Sequence, residues 1–358
     1  MPLDLASFHH ACSPSGTLLG ENKDDQYYID LSSVRGSQLV SDFKEAITTA
    51  SDEPTCQMLA AHLGCWKSQE LQRLKAELES EGWHVTYCQA TQDVDLADVE
   101  ILDILLMLAR QVSASVEPLG IKLKSRYFSI LFKAIALILQ FPVEGSPEAN
   151  LSIEISKLTN ALKNNPQFRF QLRVYLECRT QEILKAINEE LLGTAIKELK
   201  HRGYKGLVMI VDELEGVTNR RLALVRMQPE SLFIDQAAYL HHLNCHMVYT
   251  LPVALMFSQE YAALNHHLGG EVASNILPMV PMRQRDGSDC EEGIALLRQV
   301  VLVRAFPHVE PEQRLHLISE VFDRPETLDR LCRVSGGYVR YLLALLYKCF
   351  WEEEPPFS

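Results

Sequence analysis

The sequence predicts an α/β fold with a doubly wound parallel sheet, and three observations predict it. Residues 206–212 (Gly-Leu-Val-Met-Ile-Val-Asp) form an unbroken apolar run ending in an acid, the pattern of a strand buried on both faces. Residues 246–253 form a second such run, and amphipathic segments separate the runs, so the connections are crossovers and ligands belong at the carboxyl ends of the strands. Between the apolar-leaning residues 55–60 and the strongly helical residues 69–81 lies a short loop containing Gly64, Lys67 and Ser68.

Taken in order, residues 1–26 are polar and irregular and predict loose order. Residues 27–31 (Tyr-Tyr-Ile-Asp-Leu) read as a short strand or docking segment, and residues 37–49 place Leu39, Val40, Phe43, Ala46 and Ile47 at helical spacing. After the loop, Leu71, Leu74 and Leu78 recur at i, i+3 and i+7, and Gly82 closes that helix. Residues 83–91 read as a strand, and residues 96–112 as an amphipathic helix with Asp93, Asp95, Asp98 and Glu100 at its start.

A helix-rich insertion spans about 113–200. It opens with an apolar helix at 127–141, breaks at Pro142, Gly145 and Pro147, alternates at Leu151, Ile153 and Ile155, and continues as helices through Leu184 and Leu191. Residues 276–280 read as a fifth strand. Beyond Gly287, helices are predicted over 291–303, 311–322, 326–333 and, after the Gly336-Gly337 pair, 338–350. The implied organisation is an N-terminal segment, 1–50, packing on a core, 51–287, that carries the insertion. A helical lid, 288–352, and an acidic tail, 353–358, follow.

Composition narrows the function. Of 358 residues, 47% are hydrophobic and 23% charged, and a net charge of −13 argues against broad binding to nucleic acid or anionic lipid. The nine cysteines are scattered without a Cys-x-x-Cys pair, and no basic-then-apolar leader opens the sequence, so reduced thiols and a cytoplasmic location are expected. The apolar run at 130–141 contains Lys133 and Gln140 and falls short of the roughly 20 residues a spanning helix needs. His241, His242, Cys245 and His246 are metal-ligand types, but they cross a predicted helix-to-strand junction where side chains diverge.

The loop carries the chemistry. Ala61-His62-Leu63-Gly64-Cys65-Trp66-Lys67-Ser68 nearly matches Gly-x-x-x-x-Gly-Lys-[Ser/Thr], the P-loop whose backbone N–H groups surround phosphates, with Lys on the β/γ-phosphates and the hydroxyl on Mg²⁺. Ala61 holds the first glycine position. Trp66 holds the second, where glycine normally supplies an unusual backbone conformation. Asp212-Glu213, at the end of an apolar strand, add one carboxylate for Mg²⁺ and one to polarise an attacking water.

With these residues in place, the chain resembles bacterial, notably cyanobacterial, AAA-type P-loop ATPases close to the origin-recognition and signal-transducing groups. The resemblance runs through residues 28–31, Cys65-Trp66-Lys67-Ser68-Gln69-Glu70-Leu71, residues 207–213, Val248-Tyr249-Thr250-Leu251-Pro252 and Ser335-Gly336-Gly337-Tyr338-Val339-Arg340. In relatives the loop reads Gly-Cys-Gly-Lys-Ser-Thr-Glu-Leu, so Trp66 replaces glycine and Gln69 replaces threonine. The resemblance implies that residues 61–69 bind ATP, that Ser68 and Asp212 hold Mg²⁺, and that Glu213, Thr250 and Arg340 are the catalytic acid, the polar sensor and the lid arginine. It also implies nucleotide-dependent regulation of a protein partner, with hydrolysis impaired by Trp66, and it allows a homo-oligomer. The alternative is a nucleotide-free pseudo-ATPase, acting as scaffold or interaction module, with Trp66 filling the phosphate site.

Overall fold

A computed structural model describes the chain except residues 1–2, 14–24, 36–37, 51, 63, 140–150, 223–225, 263 and 265–274. The predicted break at Pro142, Gly145 and Pro147 lies outside the described residues. The chain forms two compact units, a larger one of Leu39–Ala61 and Ser68–Ile276, and a smaller one of Met1–Gln38, His62–Lys67 and Leu277–Ser358. Each has its own apolar cluster.

The fold is α/β, on an all-parallel five-stranded sheet. The strands are β1 (Cys56–Ala61), β2 (His84–Gln89), β3 (Leu207–Asp212), β4 (His246–Pro252) and β5 (Asn275–Leu277), in the order β2-β3-β4-β1-β5. Every residue of β1 and of β3 is buried, as strands covered on both faces require. Register pairs Leu59 with Thr250, Ile210 with Val248 and Gln89 with Asp212. Since β4 lies between β1 and β3, three adjacent strands present Ala61, Asp212 and Thr250 at or near their carboxyl ends, where parallel sheets bind ligands.

The helices of the larger unit follow from their apolar faces. In Leu39–Ala50, the residues Leu39, Val40, Phe43 and Ile47 are buried. In Lys67–Ser80, Leu71, Leu74 and Leu78 are fully buried. That helix ends where Gly82 turns left-handed, at φ 92°, and the Trp83 N–H reaches back to the Leu78 carbonyl at 3.0 Å.

Two expectations for this unit are corrected. The acids expected in a first helical turn precede the helix instead. Ile101–Val116 starts at Glu100, whose N–H donates to the Asp103 carboxylate at 2.9 Å. Asp93, Asp95 and Asp98 instead receive arginines: Arg110 on Asp93, Arg169 on Asp95 and Asp98, and Arg173 on Asp98 and Asp103. Arg169 and Arg173 are one helical turn apart on Pro166–Glu177, so the insertion is docked by ion pairs as well as by apolar packing. The alternation at Leu151, Ile153 and Ile155 belongs to the helix Leu151–Asn164. Leu151, Ile155, Leu158 and Leu162 face inward at helical spacing while Ile153 is exposed, so three alternating residues were too short a signal to fix the period.

The smaller unit also departs from its reading. Leu5–Ala11 is helical, capped by Asp4, whose carboxylate accepts from the Ser7 N–H at 3.2 Å, and Phe8 is fully buried against Phe350. Residues 27–31 are not a strand. The Asp30 carboxylate accepts from the Ser32 N–H at 2.9 Å and starts a helical turn, Ser32–Arg35, while Leu31 is buried. The C-terminal helices are Glu291–Ala305, Pro311–Arg314 continued by the 3₁₀ segment Leu315–Glu320, Pro325–Val334 and Val339–Glu352. Gly337 joins the last two at φ 86°, and a Cβ there would lie 1.9 Å from the Val280 carbonyl oxygen. In the tail, Glu353 and Glu354 are exposed but Phe357 is buried, its N–H donating to the Val321 carbonyl at 2.8 Å. Among the described residues no helix is long and apolar enough to cross a membrane.

Candidate functional site

Trp66 and Glu213 are the two non-glycine residues with positive φ among the described residues, at 66° and 70°. Both stand at positions nominated from sequence. A bulky side chain in this region costs energy that surrounding structure must impose, and such strain clusters at functional sites.

In the smaller unit, the loop is held by its neighbours on both sides. The Arg35 guanidinium donates to the Cys65 carbonyl at 2.7 Å, and the Arg340 N–H donates to the Gly64 carbonyl at 3.2 Å. Gly64 is left-handed at φ 86°, and a Cβ there would come within 3.1 Å of the Arg340 Cβ. His62 lies edge-on to Tyr338, with ring centroids 6.3 Å apart, so the Gly336-Gly337 turn brings both Tyr338 and the nominated Arg340 to this loop. Lys67 is buried, 6% exposed. Leu63 lies outside the described residues.

The Trp66 indole is half-buried and packs on the smaller unit's apolar cluster. The Arg304 guanidinium lies over it, 5.0 Å from the ring centroid, and 5.6 Å from the Tyr27 ring. Arg304 is 1% exposed and donates to the Ala11 and Val300 carbonyls at 3.1 and 2.7 Å. The backbone at Trp66 thus takes a conformation that glycine normally supplies, and the ring it carries packs on this unit's core.

In the larger unit, Ser68 and Asp212 both lie beside the Tyr87 hydroxyl. Tyr87 O–H donates to Asp212 Oδ2 at 2.6 Å, and Ser68 and Gln72 lie beside the same hydroxyl, where both favour its ionised form. Burial, the Asp212 charge and this bond push the Tyr87 phenol well above its usual pKa, which keeps the donated proton in place. Asp212 Oδ1 accepts from the Glu213 N–H at 2.7 Å, so both carboxylate oxygens have donors. Glu213 itself is turned toward Thr91, whose hydroxyl donates to it, and toward the Gln89 amide. Thr250, fully buried on β4, accepts from the Leu214 N–H at 3.0 Å and so fixes the turn that carries Glu213. Ala61 ends β1 opposite Pro252, and Gln69 has a buried amide oxygen without a hydrogen-bond partner among the described residues.

Ser68 and Asp212 offer oxygen donors, the type Mg²⁺ takes, and both lie beside the Tyr87 hydroxyl. Among the described residues no group of three or more His, Cys, Asp or Glu is placed to hold a metal ion. His246 is buried, with Nδ1 paired to the Thr55 hydroxyl at 2.9 Å and its ring edge-on to Trp83.

Tyr87, Arg35 and Arg304 were not read as site residues. Tyr87 is separated from Asp212 by 125 positions, and only the β2/β3 register brings them together. Buried arginines carry no sequence signature distinct from solvated ones. No protein-family model and no curated protein matches the chain.

Proposed function

We propose that the chain is an AAA-type P-loop protein that binds ATP through residues 61–69, hydrolyses it weakly, and uses nucleotide occupancy to regulate a protein partner. The observation that carries this reading is the left-handed Trp66: the loop retains a glycine-type bend at a position where the residue present opposes it. A loop released from phosphate binding has no reason to retain that strain. Lys67 and the loop N–H groups take the phosphates, at the start of the helix Lys67–Ser80, where backbone donors and the helix dipole favour anions. Ser68 and Asp212 would hold Mg²⁺, which when bound neutralises phosphate charge. Glu213 is the general base, Thr250 sets its turn, and Arg340 is the cation of the C-terminal helices. Weak hydrolysis is supported by the engagement of Glu213 with Thr91 and Gln89.

The scaffold reading is favoured by one observation, the saturated hydrogen bonding around Asp212. A fluorescent ATP analogue titrated against the natural protein separates the two. Saturable binding supports the ATPase-type reading, and no binding at any analogue concentration overturns it.

A further inference from the structure

We propose that the Tyr87 hydroxyl stands in for the divalent cation between Ser68 and Asp212, so that a cation binds only by displacing it; this rests on the nucleotide-binding reading above. A phenol hydroxyl has one proton to donate and two lone pairs to accept with. In Tyr87 the proton goes to Asp212 Oδ2 at 2.6 Å, and Ser68 and Gln72 lie beside the phenol oxygen, where both favour its ionised form. The remaining carboxylate oxygen, Oδ1, is taken by the Glu213 N–H. Both Asp212 oxygens, the type of atom that ligates a hard cation, therefore already have protein donors, on a carboxylate that is fully buried and costly to leave unmet.

The consequence is specific. Binding a cation at Ser68 and Asp212 breaks the Tyr87–Asp212 bond, whereas phosphate binding by the loop N–H groups and Lys67 leaves it intact. The natural protein then binds ATP with little help from Mg²⁺. Tyr87 is a positioning residue, since it acts through Ser68 and Asp212.

Two measurements test this, and neither reads hydrolysis. In the first, free Mn²⁺ is followed by its electron paramagnetic resonance signal, without nucleotide, against the natural protein and Tyr87→Phe. The variant is predicted to bind Mn²⁺ about tenfold more tightly, the equivalent of one buried hydrogen bond no longer broken. A folded Tyr87→Phe protein, by circular dichroism, with unchanged or weaker Mn²⁺ affinity overturns the proposal. The second measurement needs only the natural protein: its affinity for the ATP analogue is compared in saturating Mg²⁺ and in chelator. Equal affinities support the proposal, and an affinity raised about tenfold or more by Mg²⁺ overturns it. Should the analogue fail to bind at all, the nucleotide reading falls while the Mn²⁺ comparison still decides the role of Tyr87.

Discussion

Replacing Trp66 by glycine and, separately, by alanine isolates the backbone strain on which the functional reading rests. Both variants lose the same ring. That ring is half-buried against the smaller unit's cluster, an apolar contribution of about 1–1.5 kcal/mol, half of a full burial. It also lies 5.0 Å from a guanidinium that is 1% exposed, a cation–π contact of about 2 kcal/mol when desolvated. The variants differ only at the backbone. At φ 66° an L-residue pays about 1–2 kcal/mol that glycine does not. Glycine's greater freedom in the unfolded chain returns roughly 0.5–1 kcal/mol of this. Both proteins are therefore expected to be less stable than the natural one, by about 3 kcal/mol for alanine and about 2 kcal/mol for glycine. Urea unfolding followed by far-ultraviolet circular dichroism, with all three proteins run in parallel, measures the difference. An alanine variant as stable as the glycine variant, or more so, refutes the left-handed loop.

Three further outcomes follow from the same geometry. Gly337→Ala places a Cβ 1.9 Å from the Val280 carbonyl oxygen at φ 86° and is expected to lower unfolding stability by about 2–4 kcal/mol, read in the same urea assay. Thr250→Val keeps the shape but removes the acceptor of the buried Leu214 N–H, for a loss of about 1–3 kcal/mol, and it frees the Glu213 turn, seen as faster amide exchange at Leu214. Although burial alone raises the Asp98 pKa, Arg173, Arg169 and Arg220 outweigh it and hold the carboxyl below the usual range. A depressed carboxylate stabilises the fold above its unfolded pKa, about 3.9, and that contribution is lost as pH falls through the lower folded value. Asp98→Asn is accordingly expected to flatten the acid limb of the urea midpoint plotted against pH, and an unchanged slope counts against the ion-pair account.

The parts of this fold legible in the sequence are those whose signal is local. β3 and β4 were readable because strands covered on both faces are rich in apolar residues, and the loop helix because Leu71, Leu74 and Leu78 repeat within one segment. The sequence marked Trp66 as a bulky residue at a glycine position of the loop pattern, but not that its backbone would be left-handed. Other features depend on residues far apart in the chain. Tyr87 joins the Ser68–Asp212 pair only through strand register, and Arg304 reaches Trp66, Tyr27 and Ala11 from a helix whose sequence shows a plain last-turn cation. The N-terminal helix is a different kind of miss, because Asp4 as cap with Phe8 and Ala11 at i, i+3 was a readable signal within an otherwise polar stretch.

The central claim is that the Lys67 loop binds nucleotide through its phosphates. Calorimetric titration of ATP and of adenosine into the natural protein and into Lys67→Ala tests it most directly. ATP is predicted to bind the natural protein, and removal of the Lys67 charge is predicted to weaken it by about 10–100-fold, the range of a charge-assisted phosphate contact of roughly 1.5–3 kcal/mol. Adenosine affinity is predicted to be the same for both proteins. ATP binding that is equal in the two proteins, or absent from both, contradicts the account.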